Sequence, residues 1–262
     1  FNRSGHRVRR LNTLMNNPWF VAIGLNSILL LVATIIPKKL LTTAGVIHAW
    51  GLGVIIWGTL GWHGYAVVMF YFLVGSAVTR IGMAQKVAEG IAEKRDGARG
   101  PENVWGSALM ATVCALGVAA IKFGWLAASW EPLLLLGYVA SLATKLSDTT
   151  ASEVGKAYGK RTFLITTLQP VARGTEGAVS LEGTIAGIVG GLVISVVAYS
   201  LGLITLSGVG ICVIAAFVAT NLESVIGATL QHKFEWLTNE LVNVVNTMIG
   251  AIMAMLIAFW LR

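Results

Sequence analysis

The chain has 262 residues, of which 56% are hydrophobic and 12% are charged, and its net charge is +7. Soluble domains carry about 25% charged residues, so the composition excludes an ordinary soluble protein and indicates one integral membrane domain. Nucleic-acid binding is also disfavoured, because no basic segment is interleaved with aromatic residues. Two cysteines, Cys114 and Cys212, supply neither a disulfide framework nor a four-cysteine metal site.

Apolar runs of about 20 residues predict membrane-spanning helices. We predict an all-α polytopic membrane protein with about eight transmembrane helices, in a range of seven to nine. Residues 1–18 are predicted as a basic N-terminal arm, either a surface arm on anionic lipid or the remnant of a targeting segment, and residues 19–262 as a single transmembrane catalytic domain. The predicted spans are 19–36, two within 40–79 broken near 58–64, then 104–121, 132–146, 178–205, 208–229 and 241–260.

Charged residues are unevenly distributed between the two faces of this arrangement. Thirteen of the nineteen lysines and arginines follow odd-numbered spans, and the positive-inside rule places those loops on the cytoplasmic or stromal side. We therefore expect polar active-site loops on one face. A lipid or anion transporter would more often carry polar groups at mid-membrane, so the distribution favours an enzyme.

Residues 147–177 form the densest polar segment, and charge beside a bilayer is usually functional. Asp148 is the predicted Mg²⁺ ligand, because Mg²⁺ prefers hard oxygen atoms. Glu153 is either a second ligand or the partner of a nearby cation. The two acids lie about 140° apart on a regular helix, so a shared metal requires a helix break or a second helix. The alternative is a pair of ion pairs, Asp148 with Lys145 and Glu153 with Lys156.

Glycines next to cations predict anion binding, because backbone amides can then approach the anion. This pattern occurs in residues 155–161 and again in residues 173–175, where the alternative is a simple turn. The charged loop 80–103 has the same character, with the positive-inside signal alone as its alternative. The candidate phosphate-binding cations are Lys94, Arg95, Arg99, Lys156, Arg161 and Arg173.

Two patterns on the later spans have both a packing and a functional interpretation. Small residues at every fourth position of 183–191 predict close helix packing, with the wall of a substrate groove as the second interpretation. Three asparagines, Asn239, Asn243 and Asn246, share one face of the last helix. They either join helices or contribute to the site.

Five blocks resemble, in the same order, the integral-membrane family that includes the phytyl-phosphate kinase of tocopherol synthesis, and the plant and cyanobacterial branch is nearest. The blocks are residues 93–105, residues 148–155, Arg161 with Thr166 and Thr167, residues 174–180, and residues 223–229 with 237–243. The chain departs from the family pattern at Glu176, where Asn is usual, at Glu223, where Asp is usual, and at 238–240, where Asp-Asn-Asp is usual.

The resemblance implies transfer of the γ-phosphoryl group of CTP, or of another nucleoside triphosphate, to phytyl monophosphate, which gives phytyl diphosphate for tocopherol and phylloquinone synthesis. Alternatives are a prenol or phytol kinase and a lipid-phosphate cytidylyltransferase. The implied cofactor is Mg²⁺, and the membrane is the plastid envelope, the thylakoid or a cyanobacterial membrane. The expected partners are phytyl phosphate, a nucleotide and membrane lipid, with a homodimer left open.

The predicted site residues follow from the polar segments and the resemblance together. The catalytic candidates are Asp148, Glu153, Arg161 and Arg173, with the metal on Asp148 and Glu153. The candidates for binding nucleotide and substrate are Lys94, Arg95, Arg99, Asn103, Ser152, Lys156, Thr166, Thr167, Gly174, Thr175, Ser180, Glu223, Asn243 and Asn246.

Overall fold

The computed structural model describes residues 17–36, 39–231 and 233–261. The predicted basic arm lies outside these ranges except for Asn17, which caps the first helix, and Pro18, which begins it. Within the described ranges the chain forms eight α-helices and one two-stranded hairpin. They are α1 (Pro18–Ile35), α2 (Thr43–Thr79), α3 (Met83–Ala88), α4 (Pro101–Lys122), α5 (Glu131–Tyr158), β1 (Thr162–Leu164), β2 (Ala178–Ser180), α6 (Leu181–Ser200), α7 (Leu206–Ile226) and α8 (Asn239–Trp260).

Helix α2 contains two of the predicted spans. Its 37 residues would measure about 55 Å if straight, against a hydrocarbon thickness of about 30 Å. The helix bends at Gly61, whose φ of 67° and ψ of −162° are accessible almost only to glycine. The Arg80 guanidinium just after α2 lies 3.3 Å from the Lys39 carbonyl oxygen just before it. The two arms of α2 are therefore antiparallel, with the break where the sequence predicted it.

Buried polar contacts fix this bent helix against its neighbours. The Tyr65 hydroxyl donates to the Asn26 side chain of α1 at 2.9 Å. Lys122, at the end of α4, donates to the Thr59 carbonyl at 2.5 Å, immediately before the bend. Such contacts join helices in an apolar environment, where water is not available as an alternative partner.

Helix α5 is central and packs against α2, α4, α6, α7 and α8. Residues 136–150 are buried without interruption. The predicted end of the fifth span at residue 146 is wrong, because the helix continues to Tyr158 through the polar segment. Hydropathy places the end of a span where apolar residues stop, whereas polar side chains of a central helix face other helices.

Six of the described helices, all except α3 and α5, are long and apolar enough to cross a bilayer. Counting the two arms of α2 separately and adding α5, which has 28 residues, gives eight spans over the described part of the chain. The predicted fold class is confirmed: the protein is an all-α polytopic membrane protein, to which the hairpin adds only two strands of three residues each.

Loops after α1, α2, α5 and α7 meet on one face of the bundle. Leu41 forms a bridge with Arg99, which joins the first two of these loops. A side chain at Gly174 would contact Ile91, and one at Gly177 would collide with the turn that follows α7. This face carries the polar loops that the sequence predicted.

Candidate active site

A cavity of about 720 Å³ opens between these loops and the adjoining ends of α4, α5, α6, α7 and α8. Its volume lies in the usual range of small-molecule sites, about 300–1,000 Å³. Four of the five predicted blocks contribute to its lining, and the exception is the block carried by Arg161, Thr166 and Thr167. The predicted site residues that line it are Lys94, Arg95, Arg99, Asn103, Asp148, Ser152, Glu153, Lys156, Gly174, Thr175, Ser180, Glu223 and Asn243.

One face of α5 forms a polar row along this cavity. Lys145, Asp148, Ser152 and Lys156 follow one another at spacings of three or four residues, so they lie on the same side of the helix. All four line the cavity. Because the segment is helical, the spacing between these groups is fixed by the backbone and not by a mobile loop.

Lys145 is the centre of the inner network. Its ammonium group donates to the Asp148 carboxylate at 2.6 Å and to the Asn243 side-chain oxygen on α8 at 2.7 Å. The Lys145 and Asp148 side chains are only 10% and 11% exposed. Glu223 of α7 lies beside them, close enough for its charge to interact with both. Three helices thus contribute carboxylate, ammonium and amide groups to one point.

A second network surrounds Glu153. This carboxylate pairs with Lys86 of α3, and their side chains are 2% and 0% exposed. The Lys86 ammonium also donates to the Thr79 carbonyl at 2.8 Å. On its other side Glu153 accepts from Lys156 at 3.1 Å, and Lys156 reaches Glu93 at 3.3 Å. The chain of charges therefore runs from the interior to the charged loop.

Arg99 is held at both its backbone and its side chain. Its amide donates to the Leu40 carbonyl, and its carbonyl accepts from the Thr42 amide, each at 3.0 Å. The guanidinium donates to the Tyr71 hydroxyl at 2.7 Å and lies 5.3 Å from the centre of that ring. Hydrogen bonding and cation–π attraction together orient a cation at the cavity wall.

The turn before Arg99 is strained. Arg95 and Asp96 adopt left-handed φ angles of 57° and 52°, which cost non-glycine residues about 1–3 kcal/mol each. The Arg95 guanidinium contacts Glu102 and also donates to Asn103 at 3.1 Å. These contacts hold the turn in a shape that places Lys94 on the cavity lining.

Three predicted residues of the hairpin region do not line the cavity, although Thr162 of β1 and Ser180 of β2 do. Arg161, Thr166 and Thr167 are exposed, and the two threonines lie in the connection between β1 and β2. They were assigned because of their place in the sequence blocks, but the hairpin carries them away from α5.

Two other predicted residues, Arg173 and Asn246, also lie outside the cavity lining. Arg173 donates to Glu89 at 2.5 Å, which ties the hairpin loop to the end of α3. Asn246 is fully buried one turn below Asn243, and neither end of its side-chain amide has a protein partner among the described residues. An ordered water is the usual solution for such a group.

Sequence reasoning missed Lys86 and Tyr71. Lys86 counted only as a positive charge in a loop, and no local pattern links it to an acid 67 residues later in the chain. Tyr71 lies in an apolar run without charge. Lys86 is completely buried although it lies on a helix of only six residues, and no sequence pattern indicates such burial.

Fold and cavity together define a polytopic membrane protein with a charged site at one end of its helical bundle. The chain belongs to the integral membrane protein family DUF92, whose model matches residues 26–251. The resemblance drawn from the sequence blocks is thereby confirmed for the family.

Relatives come from a cyanobacterium, a plant and an archaeon. The chain is 66% identical over 237 residues to the uncharacterized membrane protein sll0875 of Synechocystis sp., covering 90% of each chain. It is 42% identical over 240 residues to Protein VTE6, chloroplastic, of Arabidopsis thaliana, covering 91% of this chain and 71% of the relative. It is 33% identical over 233 residues to the uncharacterized membrane protein MJ0933 of Methanocaldococcus jannaschii, covering 88% and 91%. No solved structure matches the chain.

The buried pair makes a testable prediction about stability. Glu153→Gln leaves the buried Lys86 ammonium without a carboxylate, and Lys86→Met leaves Glu153 with Lys156 as its remaining cation. Removing one partner of a buried ion pair costs about 3–5 kcal/mol. Each variant should therefore unfold at a clearly lower temperature in detergent. The double variant should lose less than the sum of the two, because it removes both charges. Thermal unfolding followed by tryptophan fluorescence measures all three.

Glu102→Gln is the matched control. It removes the partner of Arg95 in a pair whose side chains are 44% and 42% exposed, and exposed pairs contribute about 0–1 kcal/mol. An unchanged unfolding temperature for Glu153→Gln would show that the pair does not stabilise the fold.

Proposed function

We propose that the protein is a membrane-bound kinase that transfers the γ-phosphoryl group of CTP, or of another nucleoside triphosphate, to phytyl monophosphate. The observation that carries the proposal is one cavity at the end of the bundle that is lined by five cations and by six acids, among them Asp148 and Glu223. The cations come from α5 and from the loop that faces it: Lys94, Arg95, Arg99, Lys145 and Lys156. Both substrates are polyanions, and one has a long apolar chain. A site for both therefore needs concentrated positive charge at the edge of a membrane.

The proposed chemistry matches the groups in the cavity. An oxygen of the phytyl phosphate attacks the γ-phosphorus, the bond from that phosphorus to the β–γ bridging oxygen breaks, and CDP leaves with the electron pair. Because the attacking phosphate is already ionised, no proton has to be removed from it. The protein has to align the two phosphates and neutralise their mutual repulsion.

The cations divide into two groups by position. Lys156 and Lys94 lie towards the charged loop, and we assign them to the triphosphate. Lys145 lies at the inner end of the row beside Asn243, and we assign it to the phosphate of the lipid, whose chain must remain in the membrane. Arg99 lies in the cavity wall, where Tyr71 orients its guanidinium group, and we assign it to contact both phosphates.

The cavity also fits Mg²⁺, but with a different ligand set from the one predicted. Asp148 and Glu223 both line the cavity, and their carboxylates are close enough to interact. Glu153 does not fit, because it is enclosed by two lysines. Among the described residues no three His, Cys, Asp or Glu side chains surround one point, and a nucleotide-bound Mg²⁺ needs only one or two carboxylates besides the phosphates. Bound there, Mg²⁺ would supply charge neutralisation at the transferred phosphate.

Pathway and location belong to the same proposal. The product, phytyl diphosphate, would serve tocopherol and phylloquinone synthesis. Relatives in Synechocystis and in the chloroplast of Arabidopsis support a cyanobacterial or plastid membrane. The excess of positive charge on the cavity face supports a cytoplasmic or stromal orientation of that face.

Product analysis tests the proposed reaction. Purified protein in detergent receives Mg²⁺ and CTP with either phytol or phytyl monophosphate. We expect phytyl diphosphate and CDP from the monophosphate alone. Monophosphate formed from phytol would indicate a prenol kinase, and pyrophosphate with a CDP-lipid would indicate a cytidylyltransferase. Unchanged CTP with both lipids would contradict all three reactions.

Asp148→Asn tests the proposed metal site. The substitution keeps the shape of the side chain and removes its charge, so the variant should need more Mg²⁺ for its half-maximal rate and should lose about 100-fold or more of its turnover. Thermal unfolding verifies that the variant is folded. A folded variant with parental turnover and parental Mg²⁺ dependence would show that Asp148 does not hold the metal.

A further inference from the structure

One wall of the cavity is also an outer surface of the protein. On α7, Phe217, Thr220, Asn221 and Ser224 recur at helical spacing and line the cavity. Phe217 nevertheless lies one turn from Ile214, which is 56% exposed and outside the cavity lining, and it is itself 40% exposed. A side chain that borders a cavity and the exterior at once marks an opening between them, and this opening lies where α7 faces α6.

The opening lies at membrane depth. Phe217 precedes the end of α7 by nine residues, which corresponds to about 13 Å along the helix axis. Half of a hydrocarbon core is about 15 Å. The opening therefore faces lipid chains, while the mouth described above faces the loops.

Small residues on α6 form the opposite side of this opening. Thr184 and Gly187 line the cavity there. A Cβ atom at Gly187 would contact the Ala151 side chain of α5 at 3.0 Å, so α6 lies close to α5 and contributes little side-chain volume. The neighbouring Ile185 points outward and is 53% exposed.

Polar groups line the opening although it faces lipid. The Asn221 amide donates to the Phe217 carbonyl at 2.7 Å, which leaves its oxygen available. The Thr220 hydroxyl is buried and has no partner among the described residues. Polar groups at this depth are costly unless a polar ligand or water contacts them.

We propose that the opening between α6 and α7 is the lateral entrance for an isoprenyl phosphate. The phosphate passes Asn221 and Thr220 to reach Lys145, and the chain remains outside among the lipids beside Phe217. This inference rests on the proposed function for the identity of the substrate. The position of Phe217 on both the cavity lining and the exposed side of α7 stands independently of it.

Cysteine labelling tests the entrance. Phe217→Cys is compared with Ile214→Cys, which lies one turn away, is 56% exposed and faces lipid outside the cavity. The native Cys114 and Cys212 are buried and give little background. In phosphatidylcholine nanodiscs, a charged methanethiosulfonate should modify Phe217→Cys about tenfold faster, because a thiol surrounded by lipid ionises less.

Protection identifies the occupant. Phytyl monophosphate should slow modification of Phe217→Cys, whereas inorganic phosphate and phytol should not. Equal labelling of the two variants, or no protection by phytyl monophosphate, would overturn the entrance. Asn221→Cys repeats the test if Phe217→Cys does not fold. Thr184→Phe should raise the KM for phytyl phosphate and leave the KM for CTP unchanged, with Ile185→Phe as the control.

The labelling experiment tests the entrance, and the product analysis tests the kinase reaction, so one hypothesis can be rejected without the other. Protection without phosphoryl transfer would retain the entrance and remove the kinase. Phosphoryl transfer without protection would retain the kinase and remove the entrance.

Discussion

Charged side chains inside a membrane bundle require oppositely charged or polar partners. The charges on the polar half of α5 therefore determine which side chains the neighbouring helices place against it. The helix carries two lysines and two acids between Lys145 and Lys156, in the most enclosed position of the fold. Asn243 of α8 and Glu223 of α7 complete the inner cluster, and Lys86 neutralises Glu153. This requirement explains why α3, with only six residues, is bound tightly against α5.

The same constraint connects packing to function. Glycines on α6 approach α5 so closely that a Cβ atom at Gly183 would lie 2.5 Å from the Ala151 carbonyl oxygen. One side of α5 is therefore closed by the glycine face of α6. Its polar row faces α7, α8 and the charged loop, where an open volume of about 720 Å³ remains. Close packing on one side and an open cavity lined by charged residues on the other are thus two consequences of one arrangement.

Much of the fold was predictable because membrane spans leave a strong signal of length and hydropathy. The two spans of α2 and the break at Gly61 followed from a long uncharged run with a glycine-rich centre. The end of α5 did not, since its last turns are polar and are held by tertiary contacts such as the pair of Glu153 with Lys86. The pattern of positive charge beside glycine selected Lys156 on α5 and the basic residues of loop 94–99, which line the cavity. The same pattern also selected Arg161, which the hairpin carries into solvent, and the partner of Glu153 required a contact across 67 residues.

The central claim is that the cavity beside α5 binds the nucleotide, and a matched pair of lysines tests it most directly. Lys156 lines the cavity, whereas Lys160, four residues later in the same glycine-lysine pattern, is exposed outside it. Isothermal titration calorimetry measures the affinity of the Lys156→Met and Lys160→Met variants for CTP in the presence of Mg²⁺. Loss of a charged phosphate contact should weaken binding by Lys156→Met about 10- to 100-fold, and Lys160→Met should bind like the parent protein. Parental affinity in Lys156→Met together with weakened binding in Lys160→Met would place the nucleotide on the hairpin and contradict the account.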